Sequence, residues 1–208
     1  MAGDRAATGS ATALTDSETR RLQAFADLVL KWNRTINLIS AQTESAIWDR
    51  HILDSVQIFD LAPDNAQSWL DFGSGGGFPG MVVAILAAER RPGMRVTLVE
   101  SDRRKAAFLM QACRSAGVDG TVLAKRIEDV PPMAADVVSA RAVAALSSLL
   151  PAGSRHLAPG GILLFPKGAR AAAEVAEARK SWDFDLVETP SRTDPSAVTL
   201  SIRNPVHV

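Results

Sequence analysis

Tyrosine is absent from this chain and cysteine occurs once, at Cys113. A single thiol excludes an intramolecular disulfide and a cysteine-cluster metal site, and no metal is expected; it also suits a reducing compartment. Net charge is missing too, since 23 basic and 23 acidic side chains leave a formal charge of +0. There is no basic tail, so tight, indiscriminate binding of nucleic acid through phosphate charge is not expected. No apolar run approaches the length of a membrane span, and the first dozen residues are small and polar rather than a signal peptide. Residues 1–12 therefore read as a disordered lead-in and the chain as cytoplasmic. What remains is ordinary for a globular protein: 208 residues, 47% hydrophobic and 22% charged, enough for one well-buried domain.

Thr15-Asp16-Ser17-Glu18 has the spacing of a capping box, and Leu22, Phe25, Ala26, Val29 and Leu30 follow at helical spacing up to Trp32. A second helix is expected from Ile47 to Phe59, with Ile52, Val56 and Phe59 on one face, before Pro63-Asp64 breaks the chain. Residues 13–66 are thus a helical cap packed on a core of residues 67–208. From Ser68 strands and helices alternate: strands at 68–72, 95–100, 120–124, 135–139 and 162–165, helices at 79–90, 102–116, 146–157 and 169–181. Such alternation argues a parallel sheet covered on both faces, an α/β Rossmann-like architecture. Two closing strands, 184–187 and 197–202, have no helix between them and argue a terminal antiparallel pair.

The segment Asp71-Phe72-Gly73-Ser74-Gly75-Gly76-Gly77 carries the chemistry. A strand that ends in an acid and turns through Gly73, Gly75 and Gly77 leaves backbone open to an adenosine-bearing cofactor. Pro79 sits where a first helical residue would. Glu100 ends the next strand, where a carboxylate can take a ribose diol. Gly75-to-Gly80 also satisfies the G-x-G-x-x-G dinucleotide pattern, and Glu100 suits either cofactor. Asp71 tilts the choice: a carboxylate beside the cationic sulfonium of S-adenosylmethionine is favourable, whereas one facing the diphosphate of NAD is not. A nicotinamide-dependent oxidoreductase, which would lack any Tyr–Lys pair here, stays as one alternative. A non-catalytic module that binds S-adenosylmethionine or RNA is another.

Glycine segment, following acid and strand-only finish together resemble the class I S-adenosylmethionine-dependent methyltransferases. That resemblance implies a seven-stranded, mostly parallel sheet whose last strand is antiparallel. A narrower likeness rests on Lys31-Trp32-Asn33 with Asn37-Leu38, Arg50-His51-Ile52-Leu53-Asp54-Ser55, Gly73 to Gly80, Ser139-Ala140-Arg141-Ala142 and Pro166-Lys167-Gly168, in that order. From about Thr15 to Ile202 the chain resembles the bacterial 16S ribosomal RNA guanine-N7 methyltransferases, also called glucose-inhibited division protein B. The family usually reads Ser-Arg-Ala where this chain has Ser139-Ala140-Arg141, and often Asp at Glu100. The resemblance places cofactor contacts at Gly73, Phe78, Ile127, Glu128 and Arg141. On residue type alone Phe78 suits a pocket wall or ordinary core packing, Glu128 a solvated surface charge and Arg141 a surface ion pair.

The implied reaction moves a methyl group from S-adenosylmethionine to N7 of a guanine in the small ribosomal subunit. N7 has an in-plane lone pair and no proton to lose, so positioning can carry catalysis. No base–nucleophile constellation stands out, Cys113 reads as a small core residue, and no catalytic residue is assigned beyond the candidates Arg141 and Lys167. Arg50, His51, Arg103, Arg104, Lys167 and Arg203 are the candidates for RNA, expected near the sheet's carboxyl edge. His51 by itself suits a structural role equally. A-form RNA hides N7 in a narrow groove, so a splayed or looped target is expected. A monomer with no protein partner is expected, acting better on assembled or part-assembled subunits than on naked RNA.

Overall fold

The computed structural model describes residues 13–141 and 144–208; the expected lead-in, residues 1–12, and Ala142 of the Ser139-to-Ala142 motif lie outside the described residues. Helix α1 (Asp16–Asn33) begins as its sequence dictates. Glu18 N donates to Thr15 Oγ1 at 3.1 Å and Thr15 N donates back to Glu18 Oε2 at 2.9 Å. The same Glu18 carboxylate is buried and takes both arms of Arg90, the last residue of α3 (Gly80–Arg90). Hydrogen bonding from Arg90 holds that carboxyl below its ordinary value, and the pair fastens the cap to the core.

Seven strands form one sheet: β1 (Ser68–Phe72), β2 (Arg95–Val99), β3 (Gly120–Leu123), β4 (Ala135–Ser139), β5 (Leu157–Lys167), β6 (Trp182–Pro190) and β7 (Val198–His207). Their order is β3-β2-β1-β4-β5-β7-β6, parallel throughout except that β7 runs antiparallel to both its neighbours. This is the mixed sheet expected of a class I methyltransferase. The remaining helices of the core are α4 (Arg103–Ala116), α5 (Leu146–His156) and α6 (Ala171–Ala178). Neighbouring residues of β1 point to opposite faces, so Trp69 joins the apolar cluster under the cap while Leu70 joins the one against α5. Met81 to Ala87 of α3 are buried all round because that helix lies between the sheet and the cap.

After β3 the chain crosses back to lay β4 beside β1. Connections from these two strands leave in opposite directions, which opens a crevice at their carboxyl ends. Asp71 and Ser139 are register partners there, so topology alone puts the glycine segment and the β4 motif on one rim.

Two expectations need correction. The helix expected over 47–59 is present but not uniform: it follows a 3-10 turn at Ala41–Ala46, begins as a wide π-type turn at Trp48–Leu53 and continues directly into α2 (Asp54–Asp60). Its carbonyls are drawn to side chains, Arg50 O accepting from Arg141 Nη1 and His51 O from Ser55 Oγ, and helical periodicity does not foresee those donors. Strands β5, β6 and β7 all outrun their expected limits; on β6 this is because Pro190 and several acids that read as strand ends are tolerated on a solvated edge strand. Among the described residues no helix is long and apolar enough to cross a membrane.

Candidate functional site

The β1 tip turns sharply, with positive φ at Gly73, Gly75 and Gly77. Gly75 N donates to Glu100 Oε2 and Asp102 N to Glu100 Oε1, both at 2.8 Å, so this acid ties the loop to the start of α4. Each of its oxygens keeps an acceptor site for a further donor. Gly80 is demanded by space: a Cβ there would lie 2.2 Å from Leu98 Cδ2 and 2.7 Å from Asp71 Oδ2. The cap closes over the loop, since a Cβ on Gly76 would lie 3.0 Å from the Leu38 carbonyl. Asn33 holds that cap segment by accepting from Leu38 N and Ile39 N at 2.7 and 3.0 Å.

Asp71 is fully buried between this loop and β4. Its Oδ1 accepts from Ser139 Oγ at 2.7 Å, and Ser139 Oγ in turn accepts from Trp69 Nε1 at 2.8 Å. Oδ2 is buried with no hydrogen-bond partner of good geometry among the described residues. Burial raises the carboxyl to about 6, against the pull of Ser139, Ser74, the Gly80 amide and the Arg141 charge. A buried, half-satisfied acid beside a glycine loop fits a cationic ligand's field; it does not fit an anion.

Phe78 is buried in the core cluster beneath the cap, behind His51 and Arg141 of a cleft. Its ring stacks on His51 with centroids 5.0 Å apart, and the Arg141 guanidinium lies 5.1 Å from its centroid. Arg141 donates to His51 Nδ1 at 2.7 Å and to the Arg50 carbonyl at 3.2 Å. A guanidinium can only donate, so Nδ1 must accept, and the proton of neutral His51 sits on Nε2. Nε2 then donates to Thr43 Oγ1 at 2.9 Å, and Thr43 donates on to the Ser40 carbonyl. Burial, then the charges of Arg141 and Arg50, lower His51 to about 3, and burial lowers Arg141 to about 10 against the opposing pull of Asp54 and Asp71. At neutral pH His51 is uncharged and Arg141 is a cation.

The cleft beyond has a volume of about 870 Å³ and lies between the cap, the β4–α5 and β5–α6 connections and the β6–β7 turn. Lys167 projects from the end of β5, mostly buried, and donates to the Ala144 carbonyl at 2.7 Å while pairing with Glu174 at 2.9 Å. Arg50 pairs with Asp194 at 2.6 Å across the mouth. Asp54 anchors the β6–β7 turn, its Oδ1 accepting from Ser191 Oγ and Thr193 Oγ1.

Arg50, His51, Arg141 and Lys167 therefore come together, and Arg203 does not. Because β7 runs antiparallel, Arg203 lies back beyond Ile202, the partner of Leu163, and donates to the Gly160 carbonyl in the amino-terminal half of β5. Its expected place at the carboxyl edge is corrected by that strand reversal. Arg103 and Arg104 are exposed at the start of α4, where Asp102 caps the helix and offsets the unfavourable dipole. Ile127 and Glu128 lie on a short 3-10 turn after β3; Ile127 packs on the core, and Glu128 is exposed with its carbonyl bonded to Arg155. Cys113 is buried against Met81 and Gly120. Among the described residues no cluster could hold a metal ion.

Sequence reasoning missed Asn33, Thr43, Asp54, Glu174 and Asp194. Asn33 and Asp54 stand inside the ordered motifs, which was the available signal. Nothing in the local sequence marks the other three.

A family model described as rRNA small subunit methyltransferase G (GidB) matches residues 18–197. A Cereibacter sphaeroides protein named ribosomal RNA small subunit methyltransferase G is 50% identical over 190 residues, 91% of this chain and 92% of its own. One of the same name from Ruegeria sp. is 53% identical over 183 residues, covering 88% of this chain and 89% of its own. Among solved structures, the O-methyltransferase from Bacillus cereus in complex with SAH aligns over 92% of both chains with a TM-score of 0.56 at 11% identity. P. horikoshii TYW2 in complex with MeSAdo aligns over 83% of this chain and 65% of its own, with a TM-score of 0.56 at 13% identity. At such identities these structures bear on the fold.

Proposed function

Since the chain belongs to the rRNA small subunit methyltransferase G family, we propose that it methylates N7 of a guanine in 16S ribosomal RNA, with S-adenosylmethionine as donor. The observation that carries this reading is the meeting of two surfaces at Phe78 and Arg141: a glycine loop beside a buried acid, and an open cleft on which Arg50, Arg141 and Lys167 converge among acids. When bound, the donor supplies a methyl group on a positively charged sulfur. Gly73, Gly75 and Gly77 would offer backbone to it, Glu100 acceptor sites to its ribose, and Ile127 with Glu128 a rim for its adenine. Asp71 is out of contact range of solvent and would act on the sulfonium through its field.

In the cleft, Arg141 would hold the guanine O6 edge, leaving N7 free and turned toward the glycine loop. Arg50, Lys167 and the exposed Arg103 and Arg104 would meet phosphates. N7 loses no proton on methylation, so no base is needed. His51 could not readily serve as one, with Nδ1 taken by Arg141 and Nε2 by Thr43. The chain's work is then orientation and exclusion of water, which can supply about 7–11 kcal/mol. The alternatives lose support: an oxidoreductase would set a diphosphate beside Asp71, and a mere binding module leaves the join at Arg141 without a purpose.

The test is incubation of the purified protein with methyl-labelled donor and small subunits that lack the modification, followed by mass spectrometry of the bases. Label at one guanine N7 of the 16S RNA is expected, with faster transfer to subunits than to naked RNA. Label on another base, or tight donor binding with no methylated product, would reject the proposal.

A further inference from the structure

Four carboxylates line the cleft, and three are spoken for. Asp194 pairs with Arg50, Glu174 with Lys167, and Glu177 with Lys180. Asp54 has no ion pair among the described residues. Its Oδ1 is saturated by the hydroxyls of Ser191 and Thr193, which fix the carboxylate plane, while Oδ2 takes no hydrogen bond among the described residues. The backbone beneath is equally fixed: Gln57, one turn on, donates to the Pro190 carbonyl at 2.7 Å and accepts from Arg192 N at 3.0 Å. A carboxylate held this firmly at the wall of a cavity, with one oxygen taking no hydrogen bond among the described residues, is a preorganised acceptor awaiting N–H donors.

Arg141 relates this oxygen to the rest of the site. The two acids that act most on its guanidinium are Asp54 on the cleft side and Asp71 on the glycine-loop side. A guanine presents its groups in the matching sequence: N7, then O6, then N1–H and the 2-amino group. With N7 toward the glycine loop and O6 at Arg141, the donors of the Watson–Crick edge fall on the Asp54 side.

We propose that Asp54 is the residue that selects guanine, its Oδ2 accepting from N1–H and the 2-amino group of the flipped-out target base. The inference rests on the reading that the substrate is a guanine. Adenine fails at both contacts, offering a lone pair at N1 and an amino group to Arg141. A base so held cannot be paired, which requires an unpaired or extruded target.

Inosine keeps N7, O6 and N1–H and lacks only the 2-amino group. Small subunits are rebuilt with 16S RNA carrying inosine at the position the wild-type protein methylates, and kcat/KM is compared with the guanine form for wild type and Asp54→Asn. Wild type should prefer guanine by about tenfold. Asp54→Asn should lose about ten- to a hundredfold on guanine and treat the two bases within about twofold of each other, as expected when a charged acceptor is removed. Donor affinity by calorimetry should match wild type, and Ser191→Ala, which loosens the clamp but keeps the carboxylate, should retain the guanine preference. An unchanged guanine-to-inosine ratio in Asp54→Asn, or its collapse through lost donor binding, overturns the proposal and leaves Asp54 a structural anchor of the β6–β7 turn. Wild type that methylates no guanine at all would instead defeat the functional reading itself.

Discussion

At the glycine-loop edge, the bond that shapes the site joins Gly75 to Glu100, 25 residues away. Across Phe78, the bonds that shape the cleft join Arg141 to His51 over 90 residues and Ser191 to Asp54 over 137. The first edge is made of main-chain amides and two strand-end acids. The second is made of side chains delivered by the cap and three separate connections. A backbone feature has to be encoded where it occurs, because only local residues set φ. A polar cleft has no such obligation, and its members answer to partners far along the chain.

The comparison is most exposed at Arg141, where the two edges meet. Lysine in its place keeps the charge but cannot donate to both His51 Nδ1 and the Arg50 carbonyl while lying flat over Phe78. Arg141→Lys should lower kcat/KM on small subunits by about a hundredfold, the loss of one charge-assisted hydrogen bond and its geometry. Donor affinity should fall far less, because the groups it loses belong to the cleft. Calorimetry and single-turnover rates separate the two, and an equal fall in both would assign Arg141 to the glycine-loop edge.

The same asymmetry explains what the sequence allowed. The alternation from Ser68 gave the sheet, and two adjacent closing strands gave its antiparallel member, because the period of burial is local to each element. Asp71, the glycines and Glu100 were legible for the same reason. The widened turn at Trp48–Leu53, inside the helix expected over 47–59, was not legible, since the Arg141 donor that accompanies it comes from 91 residues away. Asp194 and Glu174 carry no local mark, because it is the β6–β7 turn and α6 that bring them to Arg50 and Lys167. Arg203 misled for a related reason: it was expected just past the end of a strand over 197–202, whereas that strand runs on to His207 and its direction decides which rim Arg203 reaches.

The edges should also differ in how they answer pH. Asp71 is raised to about 6 by burial, so the folded protein takes this proton more readily than the unfolded chain does. Its contribution to stability is therefore complete below the ordinary carboxylate value and lost as pH rises through about 6. Donor binding has the opposite sign, since a cation near Asp71 favours the ionised form. Affinity should climb by about tenfold between pH 5 and 7, following the ionised fraction. Asp71→Asn should flatten that profile. His51, lowered to about 3, stays neutral across this window and contributes no inflection. A flat wild-type titration would show that Asp71 does not sense the donor.

The smallest effect belongs to Arg103 and Arg104, which extend the glycine-loop edge outward at the start of α4. Both are exposed, and Arg104 makes only a 3.3 Å contact with its own capping Asp102. Removing them should leave the fold and donor affinity as they are, since an exposed ion pair of this kind, screened by solvent, contributes little. If each meets a phosphate, the double change to alanine should weaken subunit binding several-fold and reduce the slope of log affinity against log salt by about one to two. Binding measured at three or more salt concentrations reads the slope directly. An unchanged slope would confine RNA contact to the cleft, and the two edges would then divide the work completely, one for the donor and one for the base.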